Sequence, residues 1–228
     1  GLSYNTPPKA TSSVQTFASM TNAKDTSSTG SPVMGMDTSV SVTAMLFFGA
    51  RFSFSTLSAP SKDGEAGPQA TPTADKTSTS WKSNYMGLDF FVTPISDLRF
   101  GVGLEQHKVK FSQKHNVDPA VIVNGHETTM EGSGTALAYK GFIAYDIVSY
   151  KGLQVVSFGL TTEVGFRSGK VKEFTSDNLF TLVDNGTVKI QPGETLRGLN
   201  AGGTAYTGPE YGIDLSGPYA LLSFFIEM

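Results

Sequence analysis

Apolar and polar residues alternate along the segment Thr38–Thr56. The even positions from 40 to 54 are apolar or small, whereas the odd positions are mostly Ser, Thr and Gly, together with Arg51. Only Met45 and Phe47 interrupt the polar positions. Strict alternation places successive side chains on opposite faces of a β-strand. The pattern therefore predicts one long strand over this segment, about twice the length of a common soluble strand.

The same alternation returns in five later segments: Trp81–Val92, Leu98–Glu105, Gly134–Val148, Val156–Arg167 and Tyr211–Met228. In the last segment, Tyr211, Ile213 and Leu215 share the apolar face, and Gly217 with Pro218 predicts a bulge that shifts the phase. Short connections are predicted at 93–97 and 149–152, and long polar loops at 57–80, 112–133 and 168–209. The regular change between short and long connections indicates antiparallel strands that follow one another in sequence.

This arrangement is typical of a barrel that crosses a membrane. A strand as long as Thr38–Thr56 can cross a hydrocarbon core of about 30 Å while tilted. Strands that alternate apolar and polar residues average to a hydropathy near zero, and the mean hydropathy of this chain is -0.10. The strand pattern from about residue 39 to 228 resembles the small outer-membrane barrels of the OmpA-barrel and OmpW-like class.

The resemblance implies an all-β fold, an antiparallel up-and-down transmembrane β-barrel of eight strands with long external loops and short periplasmic turns. It places the chain in the outer membrane of a Gram-negative bacterium. The predicted organisation is a polar N-terminal arm or plug at residues 1–37, followed by a barrel at residues 38–228. The arm can equally be a solvated terminus.

Only six strands follow directly from the alternation, so two are unassigned. The Asp184-Asn185-Gly186 segment predicts a hairpin that could supply both, because Asn-Gly favours tight turns. Val14–Met20 together with a split of the last segment at 216–218 could also supply them. Alternatively, several chains share one barrel.

Charged residues within the strands fall on the polar face. A charge that faces lipid at the middle of the bilayer costs about 2 to 4 kcal/mol, so this face is predicted to line the interior. The interior then holds an ionic network, which either gates ions and small polar solutes or forms a packed core. The predicted network consists of Arg51, Asp89, Arg99, Glu105, Lys140, Asp146, Glu163 and Arg167.

Aromatic residues near the predicted strand ends fit the girdles that barrels carry at the two membrane interfaces. They are Phe90, Phe100, Tyr139, Tyr145, Phe166 and Tyr211.

The sequence predicts no catalytic residues, no metal site and no cofactor. His107, His115 and His126 lack metal-ligand spacing. No His-x-Ser pair and no closely spaced pair of aspartates lies beside a strand end, as a catalytic site at the rim of a barrel would require. The formal charge of -3 without a basic run in the sequence argues against nucleic acid as a partner.

Three functional hypotheses follow. The first is a structural or interaction component of the cell envelope that anchors in the membrane and presents its loops or its N-terminal arm to a partner. Its expected partners are the lipid bilayer or lipopolysaccharide and either another protein or a second copy of the chain. The second is a porin-like channel for small solutes of the OmpW-like kind. A more remote hypothesis is a soluble β-barrel that carries an apolar ligand, which would place apolar residues inside.

Overall fold

The fold is taken from a computed structural model of the 228-residue chain. The structure describes residues 2–5, 33–44, 48–66, 75–95, 97–116, 127–152, 156–181, 189–197 and 210–227.

The described residues are almost entirely β-structure. The strands are β1 (Leu2–Asn5), β2 (Val33–Ala44), β3 (Phe48–Ala66), β4 (Asp75–Ile95), β5 (Leu98–Asn116), β6 (Glu127–Gly152), β7 (Val156–Val171), β8 (Thr175–Ser176), β9 (Phe180–Thr181), β10 (Lys189–Ile190), β11 (Ile213–Asp214) and β12 (Gly217–Glu227). Within these ranges, no helix is long and apolar enough to cross a membrane.

Eight of these strands form an antiparallel up-and-down sheet. Neighbours in sequence pair from β1 through β7, β12 pairs with β7, and β1 pairs with both β12 and β2. The two-residue strands β8 and β11 add to this sheet, whereas β9 and β10 pair separately. The predicted all-β, antiparallel, up-and-down fold with eight strands is confirmed.

The prediction of one strand over Thr38–Thr56 is wrong, because the segment is a hairpin of β2 and β3. Val42 pairs with Ala50 and Ala44 pairs with Phe48, so even residues oppose even residues. Residues opposite each other in a sheet point to the same face. The alternation therefore continues unchanged through the turn and does not mark it.

The two unassigned strands come from this hairpin and from the N-terminal residues. β1 and the first part of β2 lie in the predicted arm, so the sheet extends across the boundary predicted at residue 37. Val14–Met20 lies outside the described residues. The strands that flank the predicted Asp184-Asn185-Gly186 turn do pair with each other, but apart from the main sheet. β11 and β12 both pair with β7, so the split at 216–218 adds no new neighbour.

Much of the predicted loops is strand. β3 continues to Ala66 and β4 starts at Asp75, while β5 continues to Asn116 and β6 starts at Glu127. The predicted 149–152 turn is also strand, since β6 ends at Gly152. A strand that is polar on both faces has no alternation to reveal it. We call the end of the sheet where β3 joins β4 the loop end, and the end where β4 joins β5 the turn end.

The two faces of the sheet are inverted relative to a water-soluble protein. Large apolar side chains on the outer face are 38% to 64% exposed, whereas Asp89, Glu105 and His107 on the inner face are 0% exposed. We call the exposed set the apolar belt. The belt consists of Phe48, Phe52, Phe54, Met86, Leu88, Phe90, Val92, Ile95, Phe100, Val102, Leu104, Leu137, Tyr139, Ile143, Tyr145, Ile147, Leu160, Val164, Phe166, Leu222 and Phe224.

Towards the loop end, the polarity of both faces reverses. Along β5, the exposed residues change from Val102 and Leu104 to Lys108 and Lys110. The buried residues change in the opposite sense, from charged side chains to Val109 and Phe111. The loop-end part of the sheet thus has the distribution of a protein in water.

This reversal corrects one of the predicted girdle residues. Phe90, Phe100, Tyr139, Tyr145 and Phe166 are exposed in the belt, but Tyr211 is 1% exposed on the inner face. Ile213, Leu215, Tyr219 and Leu221 are buried as well, so the predicted phase shift at Gly217 does not occur. Tyr211 belongs to the loop-end part, where apolar side chains point inward.

Candidate functional site

The most unusual feature of the inner face is a layer of six charged side chains. We call it the ionic layer; it comprises Arg51, Asp89, Glu105, Lys140, Glu163 and Arg167. Four of its members lie in one row of the sheet: Arg51 pairs with Asp89, Asp89 with Gly103, Gly103 with Lys140, and Lys140 with Arg167. Antiparallel register thus brings together residues that are far apart in sequence.

The charges alternate in space through a connected set of ion pairs. Arg51 contacts both Asp89 and Glu163 at 2.7 Å. Lys140 bridges Asp89 at 3.0 Å and Glu105 at 3.2 Å. Arg167 donates from Nη2 to Glu105 Oε1 at 3.2 Å and from Nε to the other carboxylate oxygen. Every charged group in the layer therefore has a partner of opposite charge.

The layer is electrically balanced and buried. Three cations face three carboxylates, and the side chain of Arg51, the most exposed member, is only 14% exposed. A buried ion pair seldom adds much net stability, but removal of one partner leaves an uncompensated charge at a cost of about 3 to 5 kcal/mol. The layer therefore behaves as a unit in which each member depends on the others.

Space for the layer comes from a glycine. Gly103 occupies the middle of the charged row, and a Cβ on it would lie 2.0 Å from Asp89 Oδ1 and 2.9 Å from Lys140 Cε. A larger residue here would displace the carboxylate from its two cations.

Aromatic rings surround the cations. Arg51 lies 4.9 Å from the centre of the Phe142 ring, and Arg167 lies 5.2 Å from both Tyr85 and Tyr219. Such positions favour a cation because the ring face carries partial negative charge. Tyr219 also donates its hydroxyl to Glu163 Oε1 at 2.7 Å.

His107 also belongs to the buried polar group, although the spacing of the histidines predicts no such role. Its Nε2 lies 3.1 Å from Glu105 Oε2 and its Nδ1 lies 3.0 Å from Ser83 Oγ. Because the carboxylate accepts, Nε2 donates, and Nδ1 accepts from the serine in the neutral ring. The signal was available, since His107 is two residues from Glu105 and therefore on the same face.

The three hydrogen-bonded side chains of Ser83, His107 and Glu105 are of the types that form a catalytic triad. All three side chains are 0% exposed, and Glu105 is already paired with Lys140 and Arg167. A nucleophile must reach its substrate, and this serine has no exposed surface from which to do so.

The other two predicted network members lie apart, nearer the turn end. Arg99 pairs with Asp146, and Thr161 lies between them: Arg99 Nη2 donates to Thr161 Oγ1 at 3.0 Å, and Thr161 donates to Asp146 at 2.5 Å. Phe91 lies between this group and the ionic layer, with its ring 6.0 Å from Arg99. The eight predicted residues thus form two groups.

The loop end of the inner face is filled by apolar side chains. This loop-end cluster consists of Val109, Phe111, Met130, Ala136, Val171, Phe174, Ile190, Leu196, Tyr211, Ile213 and Leu215. Phe174, Ile190 and Leu196 come from the segment that follows β7, which folds back over the end of the sheet. Leu196 N donates to Phe174 O at 2.7 Å, and Tyr211 N donates to Leu196 O at 3.0 Å.

Among the described residues, no group of three or more His, Asp or Glu side chains could hold a metal ion. His126 and the side chain of His115 lie outside that part of the structure.

Three comparisons with known proteins were made. No family model, curated protein or solved structure matches this chain.

Proposed function

We propose that this protein is a bacterial outer-membrane β-barrel with a filled interior, which acts as a structural or interaction component of the cell envelope. The observation that carries the proposal is the inversion of the two faces, with apolar side chains exposed and charged side chains buried. In water, exposure of so large an apolar surface on a monomer is unfavourable. A hydrocarbon environment makes the same surface favourable.

The strand pairings support closure into a barrel. β12 pairs with β7 on one side and with β1 on the other. Following the paired strands from β1 through β7 and β12 therefore returns to β1. Each of the eight strands then has two partners, which is how a membrane barrel satisfies its backbone polar groups in lipid.

The height of the belt also fits a bilayer. On β6 the belt extends from Leu137 to Ile147. Ten residue steps (147 minus 137) correspond to about 33 Å along a strand, or about 25 Å across the membrane at a tilt of about 40°. This height is the one usual for outer-membrane barrels.

The packed inner face favours a structural role over a channel. From the turn end to the loop end it carries the Arg99 group, the rings of Phe91 and Phe142, the ionic layer and the loop-end cluster. A solute channel of the OmpW-like kind requires a continuous passage, which would have to break these contacts. A soluble carrier of apolar ligands requires an apolar interior, which the ionic layer opposes.

The loop end provides the surface that would meet a partner. Strands β3 to β6 extend past the belt, and these extensions are polar in sequence and remain paired. At the end of β5, Asn116 lies opposite Lys76 of β4 on one side and opposite Glu127 of β6 on the other. Connections longer than joining two strands requires are commonly functional. The proposed partners are the lipid bilayer or lipopolysaccharide and a protein at this end.

Heat-modifiability is the direct test. Outer-membrane fractions from expressing cells are run on denaturing gels with and without boiling. A closed barrel resists detergent, so we expect the unboiled protein to migrate differently from the boiled protein. Recovery in the soluble fraction, with identical migration in both lanes, would contradict the proposal and favour a soluble sheet.

A further inference from the structure

Five exposed lysines lie on the outer face immediately beyond the apolar belt: Lys82, Lys108, Lys110, Lys170 and Lys172. We call them the lysine arc. They come from β4, β5 and the end of β7, so the group is invisible in the sequence. The chain as a whole carries a formal charge of -3, so its overall composition does not explain a positive arc.

The arrangement within the arc is unfavourable without a counter-charge. Lys82 lies directly opposite Lys110, and Lys108 is two residues from Lys110 on the same face. Like charges directly opposite each other destabilise a pair of strands. No arc lysine forms an ion pair with another residue in the part of the chain that the structure describes. Two acidic residues lie beside the arc: Asp214 on β11 is opposite Lys170, and Glu173 follows Lys172 in sequence. The five lysines therefore outnumber the carboxylates next to them.

Part of the arc lines a groove of about 650 Å³ between β6 and the end of β7. Lys108 lies on one side of the groove, and Lys170 and Lys172 lie on the other, with Glu173 as its acidic residue. Leu137 and Tyr139 of the apolar belt line the same groove and are 53% and 61% exposed. The groove therefore combines three cations with an apolar surface that continues into the belt.

We propose that this groove binds the anionic, phosphate-bearing headgroup of a membrane lipid, with the acyl chains against Leu137 and Tyr139. An anionic headgroup balances the positive charge that remains in excess over Glu173 and Asp214, and the lipid tail matches the belt below it. The site lies at the level where headgroups meet hydrocarbon, and lysines near an anionic lipid surface each contribute to attraction. This inference rests on the proposed membrane function and assigns a lipid class to it.

The test uses folded full-length protein in a maltoside detergent, which carries no phosphate. Short-chain phosphatidylglycerol, short-chain phosphatidylcholine and inorganic phosphate are titrated separately, and bound molecules are counted by native mass spectrometry. The variants are the triple Lys108→Gln, Lys170→Gln, Lys172→Gln and a matched triple with Arg at the same positions. Because these side chains are exposed, neither triple is expected to alter folding appreciably.

We expect phosphatidylglycerol to bind about tenfold or more tightly than phosphatidylcholine, and the Gln triple to lose that preference. The Arg triple should keep it, because the charge is retained. Equal binding by wild type and the Gln triple, or equal binding of the two lipids by the wild type, would overturn the inference. Inorganic phosphate binding as tightly as the lipid would overturn the lipid assignment.

The two proposals fail differently. Absence of a heat-modifiable form in the same preparation contradicts the membrane barrel itself. A heat-modifiable protein without lipid preference contradicts the lipid site alone.

Discussion

At the scale of single residues, Gly103 determines whether the ionic layer can form. We expect Gly103→Ala to lower the free energy of unfolding by about 1 to 3 kcal/mol, because the new Cβ displaces the Asp89 carboxylate. Gly141→Ala is the matched control, since a Cβ there meets nothing within 4 Å. Unfolding in guanidinium, with both variants in vesicles of the same lipid composition, measures the two free energies. Equal unfolding midpoints for the two variants would contradict the steric role of Gly103.

Glu105 pairs with two cations of the layer and also accepts a hydrogen bond from His107. Glu105→Gln keeps the shape but leaves Lys140 and Arg167 with one carboxylate fewer. We expect a loss of about 3 to 5 kcal/mol of unfolding free energy, as for other broken buried pairs. Glu131→Gln, the control at an exposed position, should change the unfolding free energy by less than about 0.5 kcal/mol. A similar small effect at both positions would show that the layer is solvated.

Alternation alone was enough to place the charged residues on one face, since that requires only parity. It was not enough to show which of them meet, because pairing depends on register. The register follows from where one strand ends and the next begins, and the three residues between β2 and β3 include none of the Gly, Pro or Asn signals that mark a turn. Parity therefore predicts Arg99 and Asp146 in the same network as the ionic layer, although the ring of Phe91 separates the two groups.

At the scale of elements, β5 contains both polarities. We expect Val102→Arg to reduce the fraction of heat-modifiable protein in lipid vesicles strongly, because Val102 is 64% exposed in the belt. An arginine at the middle of the bilayer costs about 2 to 4 kcal/mol. Gln106→Arg, on the same face of the same strand, lies at the loop-end edge of the belt opposite Met86 and Leu137. It should fold nearly as well as the wild type, because the long arginine side chain can extend past the hydrocarbon into the headgroup region. Equal yields would contradict the proposed bilayer position.

The reversal of polarity along the strands also explains which elements were predictable. In the belt, one face is apolar and the other polar, so β4 and the start of β5 were located from sequence. Just beyond the belt, Lys108 and Lys110 alternate with the buried Val109 and Phe111, in the opposite sense to the belt. Farther along β5, from Ser112 to Asn116, the sequence is polar at every position and has no alternation. The prediction for Tyr211 is wrong for the same reason. Apolar side chains point outward in the belt, but they point inward in the loop-end part, where Tyr211 lies.

At the scale of the whole molecule, the filled inner face predicts an electrically silent protein. In planar bilayers we expect no stable conductance steps after insertion, because the ionic layer and the loop-end cluster occupy the interior. Insertion is verified separately by recovery of heat-modifiable protein from the same vesicles. Reproducible steps of one size would favour the channel hypothesis instead.

The arc of lysines could not be found from sequence at all. Its members are separated by up to 90 positions (172 minus 82) and come together only through strand pairing. The sequence contains no basic run, but a run in sequence and a patch in space are different properties. The three-dimensional patch depends on the register of β4, β5 and β6.

In the proposed membrane position, the abrupt change from Leu104 to Lys108 on the outer face would make the protein sensitive to membrane thickness. A thicker bilayer would cover the lysines, and a thinner one would leave belt side chains in water; each ångström of mismatch costs a fraction of a kcal/mol. We expect folding yield in phosphatidylcholine vesicles to peak at a hydrocarbon thickness of about 25 Å and to fall as the acyl chains lengthen. A cell with membranes of different thickness would then sort this protein into the thinner one.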